Sequence, residues 1–129
     1  MKRFGLIILF ILFGVHLFSQ RAYFEKEEIL VGDQIKFTLE ISKSKGANIE
    51  FPVIESILTE GIEVLAVSDL IIEAETGRLK REYTICSFED SLFLIRPFEF
   101  KVDGKIYKTN PVKLKVGYYQ PDSVFISKI

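Results

Sequence analysis

The stretch QIKFTLEIS, residues 34–42, decides the fold class, because apolar and polar side chains alternate through it without a break. Its apolar positions are Ile35, Phe37, Leu39 and Ile41, which a period of two places on one face of an extended chain. Lysine, threonine and glutamate fall on the opposite face. This pattern predicts a β-strand with one face in a core and the other in water.

Short apolar runs separated by turn residues extend outward from this strand in both directions. Further strands are predicted at 28–31, 49–51, 62–67, 70–74, 78–88, 92–95, 98–102, 105–108 and 112–116. Asp103-Gly104 is the strongest hairpin signal, because both of its residues tolerate positive φ. A second hairpin is predicted across residues 75–77, and a loop or short helical turn over 55–60. No segment shows a sustained helical period.

Seven or eight short strands linked by turn residues predict an all-β, immunoglobulin-like antiparallel β-sandwich rather than a barrel or an α/β fold. The composition, 48% hydrophobic and 27% charged, is that of a folded chain with one core. The chain has a single cysteine, Cys86, and no tryptophan, so it lacks the disulfide and core tryptophan of antibody domains. Only the general architecture is therefore predicted.

The first residues have the pattern of a secretory leader. Lys2 and Arg3 precede a mostly apolar run over 4–18, which is shorter than the roughly 20 residues that a membrane-spanning helix needs. We therefore predict an N-terminal signal helix, with the signal peptide over 1–19, the sandwich over 20–116 and a tail or linker over 117–129. An uncleaved signal anchor is the alternative.

The reactive side chains exclude several classes of chemistry. The only histidine, His16, lies in the predicted leader, so the mature chain can form neither a Ser/His/Asp triad nor a Cys/His pair. Cys86 is interpreted as a packing residue, with a redox role as the less favoured alternative. The formal charge of −1 is not that of a nucleic-acid binder. The sequence nominates no catalytic residue, cofactor or metal ligand, and we predict that the protein is not an enzyme.

Two acidic groups are interpreted as solvated surface rather than as metal or catalytic sites. One group has a lysine inside it and no calcium-loop spacing, and the other is a pair of adjacent turn residues. They are Glu25, Glu27, Glu28 and Asp33 in the first group and Glu89 and Asp90 in the second.

The C-terminal part carries the candidate partner-binding residues, namely Lys113, Lys115, Tyr118, Tyr119 and Phe125. The two lysines belong to a group that also includes residues 101, 105 and 108. This group either forms a basic face for an acidic partner or protects a sheet edge against aggregation. Edge protection is the favoured interpretation. The apolar tail either docks on its own domain or acts as a linker, with partner contact as the alternative.

Five stretches, in their order and spacing, carry a resemblance to a known family. They are ILVGDQIKFTLEI from Ile29, IEFPVI from Ile49, GIEVL from Gly61, YTICSFEDSLFLIRPFEF from Tyr83 and VDGKIYKTNPVKLKV from Val102. Together they resemble the N-terminal immunoglobulin-like domain of BatD-type oxygen-tolerance (aerotolerance) proteins, particularly the exported versions in Bacteroidetes. The resemblance spans residues 21–116.

The resemblance implies a non-catalytic, exported protein-interaction module of a cell-envelope complex linked to oxygen or stress tolerance. It implies envelope proteins as partners, among them the von Willebrand-type Bat proteins, and a location in the periplasm or cell envelope of a Gram-negative bacterium. Contact with the membrane is expected only through an uncleaved leader or a partner. Such proteins usually continue into further domains or a transmembrane helix, so we expect a stand-alone or truncated relative, or one whose remainder is encoded elsewhere.

A carbohydrate-binding β-sandwich of the periplasm or cell surface is the alternative function. Exposed tyrosine rings would stack on sugar faces in such a module, and the candidates are Tyr23, Tyr107, Tyr118 and Tyr119. The absence of tryptophan disfavours this alternative.

Overall fold

The computed structural model describes residues 19–42 and 46–118, and within these ranges every regular element is a β-strand. The strands are β1 (Gln20–Phe24), β2 (Glu28–Leu30), β3 (Ile35–Ile41), β4 (Ile49–Glu50), β5 (Ile57–Thr59), β6 (Ile62–Val67), β7 (Ile71–Ile72), β8 (Leu79–Cys86), β9 (Ser91–Ile95), β10 (Glu99–Val102), β11 (Lys105–Lys108) and β12 (Val112–Gly117). The predicted all-β fold is confirmed. The predicted signal helix lies outside the described residues, and among these no helix is long and apolar enough to cross a membrane.

The first sheet is built around the alternating strand β3. Its strand order is β1-β3-β8-β6-β5, with β7 also paired to β8, and all of these pairs are antiparallel. Phe37, Leu39 and Ile41 on one face of β3 are fully buried. The predicted core face of this strand is therefore confirmed.

The second sheet of the sandwich is divided into two three-stranded parts, β11-β10-β4 and β2-β12-β9, which contain the two halves of one long interrupted hairpin. β10 pairs with β11 and β9 pairs with β12, and the register continues across the gap without a slip. In the gap, residues 96–98 face residues 109–111, and each segment contains a proline, Pro97 or Pro111. Because proline has no N–H to donate, the ladder is broken there and the hairpin appears as two pairs of strands.

The remaining strands complete the second sheet on either side of the hairpin. β4 pairs antiparallel with β10, whereas β2 pairs with β12 in parallel. The sequence predicts an antiparallel sandwich, and this parallel pair is an exception to that prediction. β1 and β2 are consecutive but lie in different sheets, so the chain crosses between sheets near residues 25–27 and meets β12 running in the same direction.

The two sheets bury one continuous core, to which both contribute aromatic rings. The ring of Phe37 lies 4.9 Å from that of Phe24 and 5.5 Å from that of Phe98, measured between centroids. Phe51 and Phe100 form an edge-on pair at 4.7 Å. Tilted and edge-on pairs at these distances stabilise a core beyond their buried area.

The outer face of the first sheet differs from the prediction. The polar positions of β3 were expected to face water, yet Thr38 and Glu40 are buried. Glu40 is ion-paired with Arg21 of β1 and with Arg78, which precedes β8. Long charged side chains on neighbouring strands bury their aliphatic stems over this face, and so cover the shorter residues between them.

Two further expectations are corrected. Residues 55–60, predicted as a loop or helical turn, contain strand β5, which pairs with β6 through an irregular register. The described residues form twelve strand segments rather than seven or eight, and two of these segments, β1 and β5, were not among the predicted runs. The predicted Asp103-Gly104 turn is confirmed, with positive φ at both residues.

Candidate interaction surface

The structure places three of the five predicted partner-binding residues. Lys113 and Lys115 are exposed on β12 and alternate with buried residues of that strand, and Tyr118 follows the strand as an exposed residue. Tyr119 and Phe125 lie outside the described residues. The lysines do not lie on a sheet edge, since β12 runs between β2 and β9. The edge-protection interpretation fits only the lysines of β11, which is an outer strand.

Strand β9 has one edge without a partner strand among the described residues. The Lys115 N–H of β12 donates to the Glu27 carbonyl, and the Gly117 carbonyl accepts from Val31, so these backbone groups face β2. The alternating geometry of antiparallel pairs then directs Leu114 towards Phe93 of β9. The backbone N–H and C=O groups of Leu92 and Leu94 consequently point to the open edge.

The side chains of these two leucines are also exposed. Leu92 is 57% exposed and Leu94 is 73% exposed, and directly across the sheet from them lie Lys115 and Lys113. These four residues form what we call the β9 surface. It combines unpaired backbone groups, apolar side chains and two positive charges on one face.

Sequence reasoning found the lysines of this surface but not the leucines. Residues 92–95 are apolar at every position, whereas a half-buried strand alternates. Such a run signals a strand that is apolar on both faces. In this structure only Phe93 and Ile95 face the core, which leaves the outward leucines uncovered.

An open groove of about 690 Å³ adjoins the β9 surface. It lies between β1 and the proline-interrupted part of the hairpin, and Leu94 and Lys113 line it as well. The Asn110 side chain accepts a hydrogen bond from the Ala22 N–H at 3.0 Å and donates one to the Ala22 carbonyl at 2.9 Å. Asn110 thereby takes the place of a neighbouring strand at the middle of the β1 edge.

Two of the four acidic residues near the N-terminus have backbone hydrogen-bond partners, and the other two, Glu27 and Glu28, are exposed. A Glu25 carboxylate oxygen accepts from the backbone N–H of Lys36, and an Asp33 carboxylate oxygen accepts from that of Leu30. Among residues 19–42 and 46–118, no group of three or more His, Cys, Asp or Glu side chains is arranged to hold a metal ion. Glu89 and Asp90 are exposed residues between β8 and β9.

Cys86 lies at the end of β8 and is only 3% exposed. Burial raises the pKa of its thiol, and the nearby Glu63 carboxylate raises the pKa further. Because the thiolate is the reactive form, both effects suppress nucleophilic and redox chemistry. These observations favour the packing interpretation.

We expect Cys86 in the folded protein to react with a disulfide reagent at pH 8 on the order of 100-fold more slowly than in denaturant, because reaction requires local opening. The raised pKa also predicts that the folded-state rate keeps rising with pH beyond the ordinary thiol range. Absorbance of the released thiolate measures both rates. Cys86 is the only cysteine, so the signal has one source. Equal rates in the two states would contradict the interpretation.

Comparisons with known proteins test the predicted resemblance. A family model described as the BatD DUF11-like domain matches residues 22–116, which confirms the family that the sequence predicted. No curated protein matches the chain. One solved structure that resembles it is the BIgI domain of the beta protein from S. agalactiae bound to CEACAM1, at 13% identity. The match covers 80% of this chain and 99% of that one, with a TM-score of 0.46.

Proposed function

Because this chain belongs to the BatD DUF11-like domain family, we propose that it is a non-catalytic, exported protein-interaction module of a BatD-like cell-envelope complex linked to oxygen or stress tolerance. The proposed partners are other envelope proteins, including von Willebrand-type proteins of the same system. The observation that supports an interaction role is the β9 surface, with its open strand edge. The leader-like sequence over 1–19 supports export to the periplasm.

The β9 edge lacks the devices that usually protect a strand edge. Proteins blunt such edges with proline, charged side chains or bulges. Strand β9 contains neither a proline nor a charged residue, and its pairing with β12 shows no register shift. An edge of this kind accepts an extended segment of another protein as an added strand, with backbone hydrogen bonds supplying affinity and alternate side chains supplying specificity.

The charges of the β9 surface indicate the chemistry of the added segment. Lys113 and Lys115 lie across from the exposed leucines, on the same outer face. A segment with apolar side chains over the leucines and acidic side chains near the lysines would complement both features. Binding of such a segment is expected to weaken as salt concentration rises, because the lysines are exposed.

The carbohydrate-binding alternative has less support from the tyrosines that the structure describes. The Arg21 guanidinium covers Tyr23 at 5.0 Å from the ring centroid, and Tyr107 is partly buried against the core. Neither ring is presented as an open platform. Of the candidates that the structure describes, only Tyr118, which is 62% exposed, presents an open ring. A flat binding response to envelope and plant polysaccharides would dispose of this alternative.

We expect Leu94→Lys, alone or with Leu92→Lys, to lower capture of a von Willebrand-type partner at least about tenfold, which is the size of effect that central interface residues show. The introduced charge opposes the addition of a partner strand at the β9 edge, and the loss of leucine removes apolar contact with that strand. The measurement is affinity capture from detergent-solubilised envelopes followed by quantitative mass spectrometry. Ile106→Lys is the matched control, since Ile106 is a 54% exposed apolar residue on the same hairpin but on β11.

The outcomes of this experiment distinguish the β9 surface from the C-terminal tail as the interaction site. Equal loss with the control variant, or no loss with the β9 variants while circular dichroism shows a native fold, would contradict the proposed surface. A chain ending at Gly117, tested beside them, shows whether Tyr119 and Phe125 contribute as the sequence predicts. Capture that depends on the tail but not on β9 would move the interaction site to the tail.

A further inference from the structure

A charged residue, Arg81, lies on the core-facing side of β8. Its neighbours on that side of the strand, Leu79 and Tyr83, are buried. On β3 the residue opposite Arg81 is Leu39, which is fully buried. A charge at a core-facing position contradicts the pattern of the rest of the sheet, and such exceptions are expected at functional sites.

The Arg81 guanidinium has no carboxylate partner in the part of the chain that the structure describes. The ion pairs there involve Arg21, Arg78 and Lys36, and the buried Nε of Arg81 has no hydrogen-bond acceptor. The guanidinium carbon lies 5.3 Å from the ring centroid of Phe51. A ring contact offsets part of the cost of removing a cation from water, and the Tyr83 side chain interacts with the guanidinium as well, but the buried Nε–H donor stays unused.

These groups line a pocket of about 260 Å³, which we call the Arg81 pocket. Phe51, Val67 and Leu70 form part of its apolar wall, and Tyr83 lines it beside Arg81. Val53, another lining residue, is 87% exposed at the surface. The volume is below the ~300 Å³ at which pockets for drug-sized ligands begin, so it fits a group about the size of one amino-acid side chain.

We propose that the Arg81 pocket is a binding site for a carboxylate attached to an apolar group. The guanidinium supplies a planar set of donors that matches the two oxygens of a carboxylate, and such a pair is strong where water is partly excluded. The apolar walls bury the body of the ligand. The pocket shares no residue with the β9 surface, so it is a second site, independent of the interaction proposed above.

The test uses phenylacetate as the probe, which carries one carboxylate on one ring, and its neutral amide as the matched control. Two-dimensional amide NMR of the folded protein follows both titrations. Phenylacetate is expected to shift the resonances of Arg81, Tyr83 and Val67 saturably, with a dissociation constant on the order of 1 mM for so small a ligand. Phenylacetamide is expected to bind at least about tenfold more weakly, because it lacks the charge that Arg81 complements.

Variants separate binding from a structural role of Arg81. Arg81→Met keeps an apolar stem and is expected to abolish phenylacetate binding. Arg81→Lys is expected to weaken binding, because lysine lacks the planar set of N–H donors of the guanidinium. Lys80→Met, on the opposite face of β8, is expected to bind as the wild type does. Should Arg81→Met fail to fold, titrating the wild type below the carboxyl pKa of phenylacetate provides the same test, since the neutral acid should bind as weakly as the amide.

Two peptide probes distinguish the source of the carboxylate. A short peptide ending in phenylalanine with a free C-terminus is compared with its amidated form. Preference for the free peptide over phenylacetate would indicate a protein C-terminus as the natural ligand, and preference for phenylacetate a small apolar acid. Equal binding of phenylacetate and phenylacetamide, wild-type affinity in Arg81→Met, or the absence of saturable shifts would each overturn the proposal.

Discussion

Replacing Glu40 with alanine is expected to lower the free energy of unfolding by about 3 kcal/mol, the lower end of the range for breaking a buried ion pair. Glu40 is 2% exposed, and its Oε1 is bonded to Arg21 Nε and lies 3.8 Å from Arg78 Nε. Without the carboxylate, the Arg78 side chain, which is only 22% exposed, keeps its charge without a counterion. The Arg21 side chain is 60% exposed and regains water, which limits the loss.

The measurement is urea unfolding, followed by circular dichroism because the chain has no tryptophan. Glu99→Ala is the matched control, since Glu99 is an exposed glutamate on β10, and its effect is expected within about 0.5 kcal/mol. Glu40→Gln keeps the shape of the side chain and removes its charge, so it isolates the ionic part of the effect. If Glu40→Ala and Glu99→Ala cost the same, the ion pairs of Glu40 contribute nothing measurable to stability.

The second large effect is expected for Gly61→Ala. This substitution should lower the free energy of unfolding by about 2–4 kcal/mol, because backbone strain and overpacking act together. Gly61 joins β5 to β6 at a φ of +94°, a conformation that residues with a Cβ rarely adopt. A Cβ there would lie 2.6 Å from Phe93 Cε1 and 2.7 Å from a Glu89 carboxylate oxygen. The close approach of this turn to β9 therefore requires glycine.

Gly77→Ala provides the matched control for Gly61→Ala. Gly77 also has a positive φ, +70°, but a Cβ added there meets no atom within 4 Å. Gly77→Ala is expected to lower the free energy of unfolding by about 1 kcal/mol, because only the backbone conformation is strained. The difference between the two variants in urea unfolding measures the cost of the contacts with Phe93 and Glu89. Equal losses of stability would show that the Phe93 and Glu89 side chains move aside without cost.

The residues that were predictable from the sequence are those governed by local pattern. The alternation of β3 predicted its core face, and Asp103-Gly104 predicted its turn, because side-chain direction and positive φ depend on near neighbours. The family resemblance was also visible in the order of these patterns. The site residues Lys113 and Lys115 were found from their charge.

The features that the sequence did not predict depend on which strands become neighbours. Glu40 alternates like a solvent-facing residue, and it is buried only because Arg21 and Arg78 reach over it from adjacent positions. Leu92 and Leu94 are exposed because no strand pairs with the far edge of β9 among the described residues. Arg81 follows the core-facing period of β8, but its pocket is formed by segments distant in sequence.

The parallel pairing of β2 with β12 has a mechanical consequence. The two strands come from opposite ends of the domain's sequence but lie side by side, and they are joined by the hydrogen bonds from Lys115 N–H to the Glu27 carbonyl and from Val31 N–H to the Gly117 carbonyl. When the two ends are pulled apart, tension slides these strands past each other, so both bonds bear load at once instead of opening in turn. A domain stretched between an anchor and a bound protein would thus resist force by shear at this junction.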